Sequence, residues 1–502
     1  MPELRSRGVL GWASWAAILS GAAAALLACS SSSGSTTGSS SGSALTGSAA
    51  STGSSAGSTS SSSAAAASST NGSSPAANSS GAGTSTGGSS TGTGPGTTGG
   101  AAPRTYVYVE NNDPSDNDTN AILAFQRSGL TLVPLPAGAT FALGGAGQGN
   151  PGQVLGPDDS DQEIVIDYVN QRLYAVNQGS NTIAGFHIES NGALDALDGS
   201  PYPSGGDGPV SLGLAGNLLY VVNQAADKMA APNYTILTVK VDGSLSPVVG
   251  LKPITTPVGA APSQALVPPG QNHLFSTDFL GPVSSPPVNS VRSFLVTGDG
   301  GLSRAPGDPV AVPTSASPGG SAASGLALGL AVHPTMDILY VGFALYSEVG
   351  VYTYDDTGAL SYVTATPLTG KTICWVRVSS NGLRLYASNT DDDSISVVDL
   401  SSPLDPVEIE HFKLADSMGT PFNGTSVTSA AYQQTLSPDE TSLFVVSQRV
   451  TTNSSDTTSP GNILHILVVD ADAGTVSEPG LDIPLDAPSN ARAQGVAAIQ
   501  LP

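Results

Sequence analysis

From Arg104 onward, short apolar runs alternate with clusters of Gly, Asn, Asp and Pro, and the 3.6-residue spacing of an amphipathic helix is almost nowhere seen. Runs of this kind, roughly four to eight residues long and bounded by turn formers, predict strands. One stretch displays the unit openly. Leu330-Ala331-Val332-His333-Pro334 is followed by a turn, Ile338-Leu339-Tyr340-Val341, a second turn, Val349-Gly350-Val351-Tyr352-Thr353-Tyr354, and then Gly358-Ala359-Leu360. It predicts four strands: an apolar first, a second centred on an aromatic residue, an alternating third, and a fourth after a Gly-x-Leu turn.

The second-strand aromatic recurs as Tyr108, Tyr174, Tyr220, Phe275, Tyr340, Tyr386 and Phe444, at intervals of 46 to 66 residues. Third strands follow at Ile122, Ile183, Ile236, Val291, Ile395 and Ile463, and Gly-x-Leu turns recur at Gly192 and Gly243, with Gly301-Leu302 in the next copy. Seven copies of a four-stranded unit predict an all-β domain over 104–502, a seven-bladed β-propeller. A solenoid of stacked β units is the alternative. Against it, the first copy opens at Arg104-Thr105-Tyr106-Val107-Tyr108, already a second strand, while Gly495-Val496-Ala497-Ala498-Ile499 is a first strand without its sequel. Setting the last strand at the centre of the first blade completes both and closes the ring without a free edge.

The residues before 104 read differently. Arg5 and Arg7 precede an apolar run from Val9 to Leu27, which ends in Leu26-Leu27-Ala28-Cys29. A basic start and an apolar core describe a secretory signal, and the final four residues resemble a bacterial lipobox, which implies a lipid on Cys29. The expected organisation is a signal peptide over 1–28, a lipidated Cys29 opening a low-complexity linker over 29–103, and the propeller. No residue between Ser30 and Pro103 is charged, and the tract is Ser, Gly, Thr and Ala throughout, with occasional Asn and Pro. Such a composition cannot offset its ordering entropy, and a coil of this length spans roughly 50 Å. Ser30, where an Asp would favour inner-membrane retention, points to the cell envelope and its outer membrane as the location, with Cys29 supplying the anchor.

Charge and cysteine content narrow the partners. The formal net charge is −23, which disfavours nucleic acid. With Cys29 lipidated, only Cys374 remains, in an apolar strand where a buried, inert thiol is expected. Gly53-Ser54-Ser55-Ala56-Gly57 and Gly88-Ser89-Ser90-Thr91-Gly92 match the serine-hydrolase pattern but stand in the linker, where no strand-to-helix elbow is expected. Asp116-Asn117-Asp118-Thr119-Asn120 begins like a calcium loop, yet Ala121 stands where Gly is required and Arg127 where Glu is required. Solvated hairpin tips account for this cluster and for those at Asp158, Asp159 and Asp161 and at Asp391, Asp392 and Asp393. No metal and no cofactor is expected.

Leu173-Tyr174-Ala175-Val176-Asn177, Leu219-Tyr220-Val221-Val222-Asn223 and Leu339-Tyr340-Val341 resemble the repeats of seven-bladed lactonase-type propellers, the 6-phosphogluconolactonase-like enzymes and related YVTN-type repeats. The resemblance covers 104–502 and rests mostly on core positions. It implies a ligand site at the mouth built by loops entering first strands and leaving second strands. Three residues beyond each aromatic stand Asn111, Asn177, Asn223, Asp278, Phe343, Asn389 and Ser447, a candidate polar ring or a set of local turn caps. No loop entering a first strand carries a histidine; Pro262-Ser263-Gln264 stands where a Pro-His pair would. Glu163 and Asp278, with Arg492, are the candidate catalytic groups, and Gln264 and Gln494 join the asparagines as candidate ligand-binding residues. Arg377, inside a first strand, is expected in a buried ion pair. Two functions fit: a monomeric module binding a small molecule or a protein at the mouth, the favoured one, and a lactone hydrolase.

Overall fold

The computed structural model describes residues 102–502, apart from 116–118, 137–138, 150–158, 226–229, 271, 280–288, 314–325, 416–420, 423–424, 427–428, 450–460, 480–481 and 489–490. Cys29, the linker, Asp116, Asp118 and Asp158 lie outside the described residues. Seven antiparallel sheets succeed one another along the chain and form a seven-bladed β-propeller. The inner strands are Gln494–Leu501 in blade 1, Ile164–Asp167 in blade 2, Pro209–Ala215 in blade 3, Ala327–Val332 in blade 5, Ile373–Val378 in blade 6 and Ser429–Leu436 in blade 7. Blade 4 departs from the pattern. Its inner segment makes only isolated bridges, Pro262 to Asp278 and Leu266 to Phe275.

Blade 1 closes the ring. Arg104–Glu110 pairs antiparallel with Gln494–Leu501, from Arg104 opposite Leu501 to Glu110 opposite Gln494. Each neighbouring pair of blades then shares its own apolar core. Blades 1 and 2 meet through Tyr106, Tyr108, Leu173 and Phe186, and blades 7 and 1 through Val107, Phe125, Phe444 and Ile466.

The repeated aromatic and the repeated glycine turn are two halves of one contact. The hydroxyl of Tyr108 donates to the Gly192 carbonyl of the next blade (2.9 Å), Tyr174 to Gly243 (2.8 Å), Tyr220 to Gly300 (3.0 Å) and Tyr386 to Gly474 (3.0 Å). Tyr340 reaches Pro403 instead (3.0 Å). Where Phe275 has no hydroxyl, Ser293 donates to Gly358 (2.7 Å). Each such bond contributes about 1 kcal/mol net and fixes the angle of one blade on the next.

Inner strands bend near the mouth. The pairing register slips between Val109 and Glu110 in blade 1, Pro209 and Ser211 in blade 3, Ala327 and Leu330 in blade 5, Ile373 and Val376 in blade 6, and Ala431 and Gln434 in blade 7. A bulge re-aims the side chains at the slip, here toward the propeller axis.

Candidate active site at the axial mouth

The segment 160–163 crosses the axis and binds nearly every blade around it. Asp161 N–H donates to the Ser263 carbonyl (3.1 Å), and Leu212 N–H to the Gln162 carbonyl (2.9 Å). Gln264 Nε2 donates to Gln162 Oε1 (2.7 Å), while its own Oε1 accepts from Leu330 N–H (2.8 Å). Arg377 grips Asp161 with both ends of its guanidinium, at 2.5 and 2.8 Å. The expected ion pair of Arg377 is therefore present, and it joins blade 6 to blade 2 across the centre.

Glu163 is the hub. Its Oε1 accepts from Ser160 Oγ (2.7 Å), and both its oxygens accept from Gln433 Nε2 at 2.7 Å. Gln494 Nε2 approaches at 3.4 Å, and Asn112 Nδ2 in turn donates to Gln494 Oε1 (2.8 Å). Gln433 and Gly495 sit in the bulges of blades 7 and 1, and the Gly495 N–H donates to Gln433 Oε1. Gly495 needs its freedom: its φ is +73°, and a Cβ there would stand 3.2 Å from the Glu163 Cβ. Burial, reinforced by the Asp161 charge, pushes the Glu163 carboxyl up to about 8 against the hydrogen bonds from Ser160 and Gln433.

A second carboxyl shares this end of the ring. Glu110, the last residue of its strand, is 1% exposed and accepts from Asn120 Nδ2 (2.8 Å). Its other oxygen is buried without a hydrogen-bond partner. Burial raises its pKa well above the ordinary carboxylate value, Asn120 opposes the shift, and Glu163 adds to it. Arg492 stands two residues before Gln494, at the entry to the inner strand of blade 1. It is 9% exposed, its Nε donates to the Arg449 carbonyl (3.3 Å), and burial lowers its pKa to about 10.

The other candidates separate from this group. Asp278 turns toward the outer strands of blade 4, where Arg292 Nε holds it at 2.6 Å, Arg292 Nη2 makes a second contact and Ser290 Oγ lies at 3.3 Å. Asp308, 3.3 Å from Arg292 Nη1, completes a buried ionic cluster. The carboxylate of Asp278 is thus committed to its own blade. The asparagines serve hairpins. Asn111 Oδ1 accepts from the backbone of Asp113 and Ala121, Asn223 Nδ2 donates to Asn233 and Thr235, and Asn389 Nδ2 to Ser394 and Ser396. Asn177 bonds Thr182 and the Leu143 carbonyl, and accepts from Asn120 beside Glu110. Of the four, Asn177 alone is tied to a partner of the carboxyl pair.

Two further expectations are settled by burial. Cys374 is buried, and burial raises its thiol to about 12, so it stays protonated and inert. Asp392 and Asp393 are not solvated hairpin tips. Asp392 binds Lys413 (2.8 Å) and His411 (3.1 Å), and Asp393 accepts from Ser429 (2.9 Å) and Ser447 (3.1 Å). The short helical turn Thr390–Asp392 folds these side chains inward, against blade 7, and not out to water. A surface depression of about 480 Å³ lies at the opposite end of the ring, between Arg104, Arg127, Asp439 and Gln500, and contains none of the candidate residues.

The fold is a seven-bladed β-propeller, and it is shared with solved structures of lactonase-type proteins. Solved structures of that shape include the periplasmic gluconolactonase of Pseudomonas aeruginosa (17% identity, TM-score 0.53, 78% of this chain and 99% of that one). A candidate 6-phosphogluconolactonase from Bacteroides uniformis is similar (16%, 0.53, 79% and 99%), as is a protein from Lactobacillus plantarum (16%, 0.55, 79% and 100%). The sequence matches no family profile and no curated relative.

Proposed function

We propose that this chain hydrolyses a sugar lactone or a related cyclic ester at the axial mouth of its propeller. The observation that carries the reading is the pair Glu163 and Glu110: two buried carboxyls at one mouth, both with raised pKa values and neither ion-paired among the described residues. Burial moves the Glu163 carboxyl up to about 8 and raises that of Glu110 as well, and a pair in distinct surroundings suits a base and an acid. Glu163, as carboxylate, takes a proton from the water that attacks the acyl carbon. Glu110, as the acid, gives a proton to the ring oxygen as the acyl–oxygen bond breaks. One water is consumed and one hydroxy acid is formed. The Gln494 amide, whose Nε2 lies 3.4 Å from Glu163, is a donor for the developing oxyanion, and Arg492, two residues before it in the chain, is the cation proposed to receive the product carboxylate.

Support comes also from the gluconolactonases that share this shape, one of them periplasmic. With it goes the proposal that the chain works as a monomer in the cell envelope, held there through Cys29, on a small uncharged or anionic substrate and without nucleic acid. The test is turnover of sugar and homoserine lactones after subtraction of spontaneous hydrolysis. kcat/KM is expected to rise about tenfold per pH unit up to about 8 and then level. Glu163→Gln is expected to remove both the slope and about 10²- to 10⁴-fold of the rate. The filled axis, with segment 160–163 bonded across it, favours the second reading, a module that binds a ligand on the rim. Absence of turnover over the panel by folded protein rejects the hydrolase and leaves that module.

A further inference from the structure

Blade 7 carries another cluster of ionisable groups, on its outer strands and away from the axis. His465, in the strand Ile463–Val469, has a wholly buried side chain. Its Nδ1 lies 2.8 Å from Glu478 Oε1 and 3.1 Å from Asp482 Oδ1. One potential ligand atom from each residue falls within 4.8 Å of those of the other two. The carboxylate side chains are only 5% and 10% exposed, and the backbone N–H of Ala415 pins the second oxygen of Glu478 at 2.7 Å. Among the described residues, no lysine or arginine pairs with either carboxylate.

Two sheltered carboxylates thus face one imidazole, whose single positive charge can offset only one of them. Unpaired buried charge is costly, and a divalent ion would balance both while leaving the imidazole neutral. Nδ1 is the nitrogen that faces both carboxylates, so it is the one that would ligate, with the ring proton on the buried Nε2. One nitrogen and two carboxylate oxygens suit zinc or manganese, with water completing the shell.

We propose that His465, Glu478 and Asp482 form a site for one divalent transition-metal ion. The ion would tie the third strand of blade 7 to its outer edge, where the fourth strand is only Val476–Ser477. Atoms that share one ion at about 2.0–2.2 Å stand roughly 3.3–3.5 Å apart, so the His465 contacts at 2.8 and 3.1 Å would open by a few tenths of an ångström to admit it. The test uses the full chain, stripped with EDTA and titrated with Zn²⁺ by calorimetry and with Co²⁺ by visible absorption. One equivalent is expected to bind, with ligand-field bands from Co²⁺ and a higher melting temperature. Glu478→Gln and Asp482→Asn are each expected to weaken binding at least tenfold. No uptake by the intact chain overturns the site, as does equal uptake by both variants. If a variant fails to fold, the paramagnetic shift of the His465 ring in the intact Co²⁺ protein decides: a shifted ring supports the site, and an unshifted one rejects it.

Discussion

Glu163→Gln should make the protein more resistant to alkaline conditions, even though it removes the proposed base. An acid whose folded-state pKa lies above its unfolded value loses folding stability as pH rises between the two. For Glu163 that window runs from 4.5 to about 8. Below it, both states are protonated. Above it, the folded state has had to ionise a carboxyl that sits among amides with no cation on it. Integrating the difference in bound protons from pH 5 to pH 8 gives a loss of roughly 3–4 kcal/mol. The loss belongs to wild type alone, since glutamine does not titrate. Urea denaturation of both proteins at the two pH values isolates it as a double difference. That difference cancels the pH-independent cost of setting the introduced amide against Gln433 Nε2, and the titration of acids that do not feel the Glu163 charge; Glu110, which does feel it, titrates lower in the variant and adds to the same sign of difference. Wild type is expected to lose roughly 3–4 kcal/mol more than Glu163→Gln between pH 5 and pH 8. A double difference near zero would mean that the carboxyl is not held in an environment hostile to its charge, and the assignment of Glu163 as a tuned base would fall with it.

Three other substitutions probe the frame around the site. Arg377→Leu strands Asp161 on the axis and should cost about 3–5 kcal/mol by denaturant unfolding; adding Asp161→Asn should recover most of it. Tyr174→Phe removes the bond to Gly243 while keeping the ring and should cost about 1 kcal/mol, read as a lower melting temperature. Gly495→Ala forces a side chain into a left-handed backbone beside Glu163, and should cost about 1–3 kcal/mol. Its lactone turnover should fall more steeply than its stability, which activity measured well below the melting temperature will show.

The architecture was legible because it rests on repetition. The seven aromatics and the glycine turns mark blades whatever the loop lengths between them, and the unmatched strands at Arg104 and Gly495 announce the closure. The site was legible only in part. Glu163, Gln494 and Arg492 could be placed by register, since they immediately precede or begin inner strands. Asp278 ends a second strand at the same mouth, but Arg292 on the neighbouring strand captures it, and nothing in the local pattern shows that Arg292 faces it. Gln433 was missed because it lies in a bulge, where alternation no longer tells which face a residue takes. Glu110 was missed because a charged residue ending a strand ordinarily reads as a solvent-facing terminus. Its burial depends on Asn120 and on blade 2, contacts with no local trace. The acidic run at Asp391 misled for the same reason: a single helical turn converts a polar tip into buried anchors.

The placement of the last inner strand fixes when the site can exist. Gln494 and Gly495, which touch Glu163 and its partner Gln433, arrive on the same eight-residue strand that closes blade 1. Blades 2 to 7 can all be built from the chain before Gln494, and Glu163 then still lacks two of its neighbours. Completion of the mouth therefore waits on ring closure: a chain cut before Gln494 lacks the full set of contacts around Glu163 however many blades it forms.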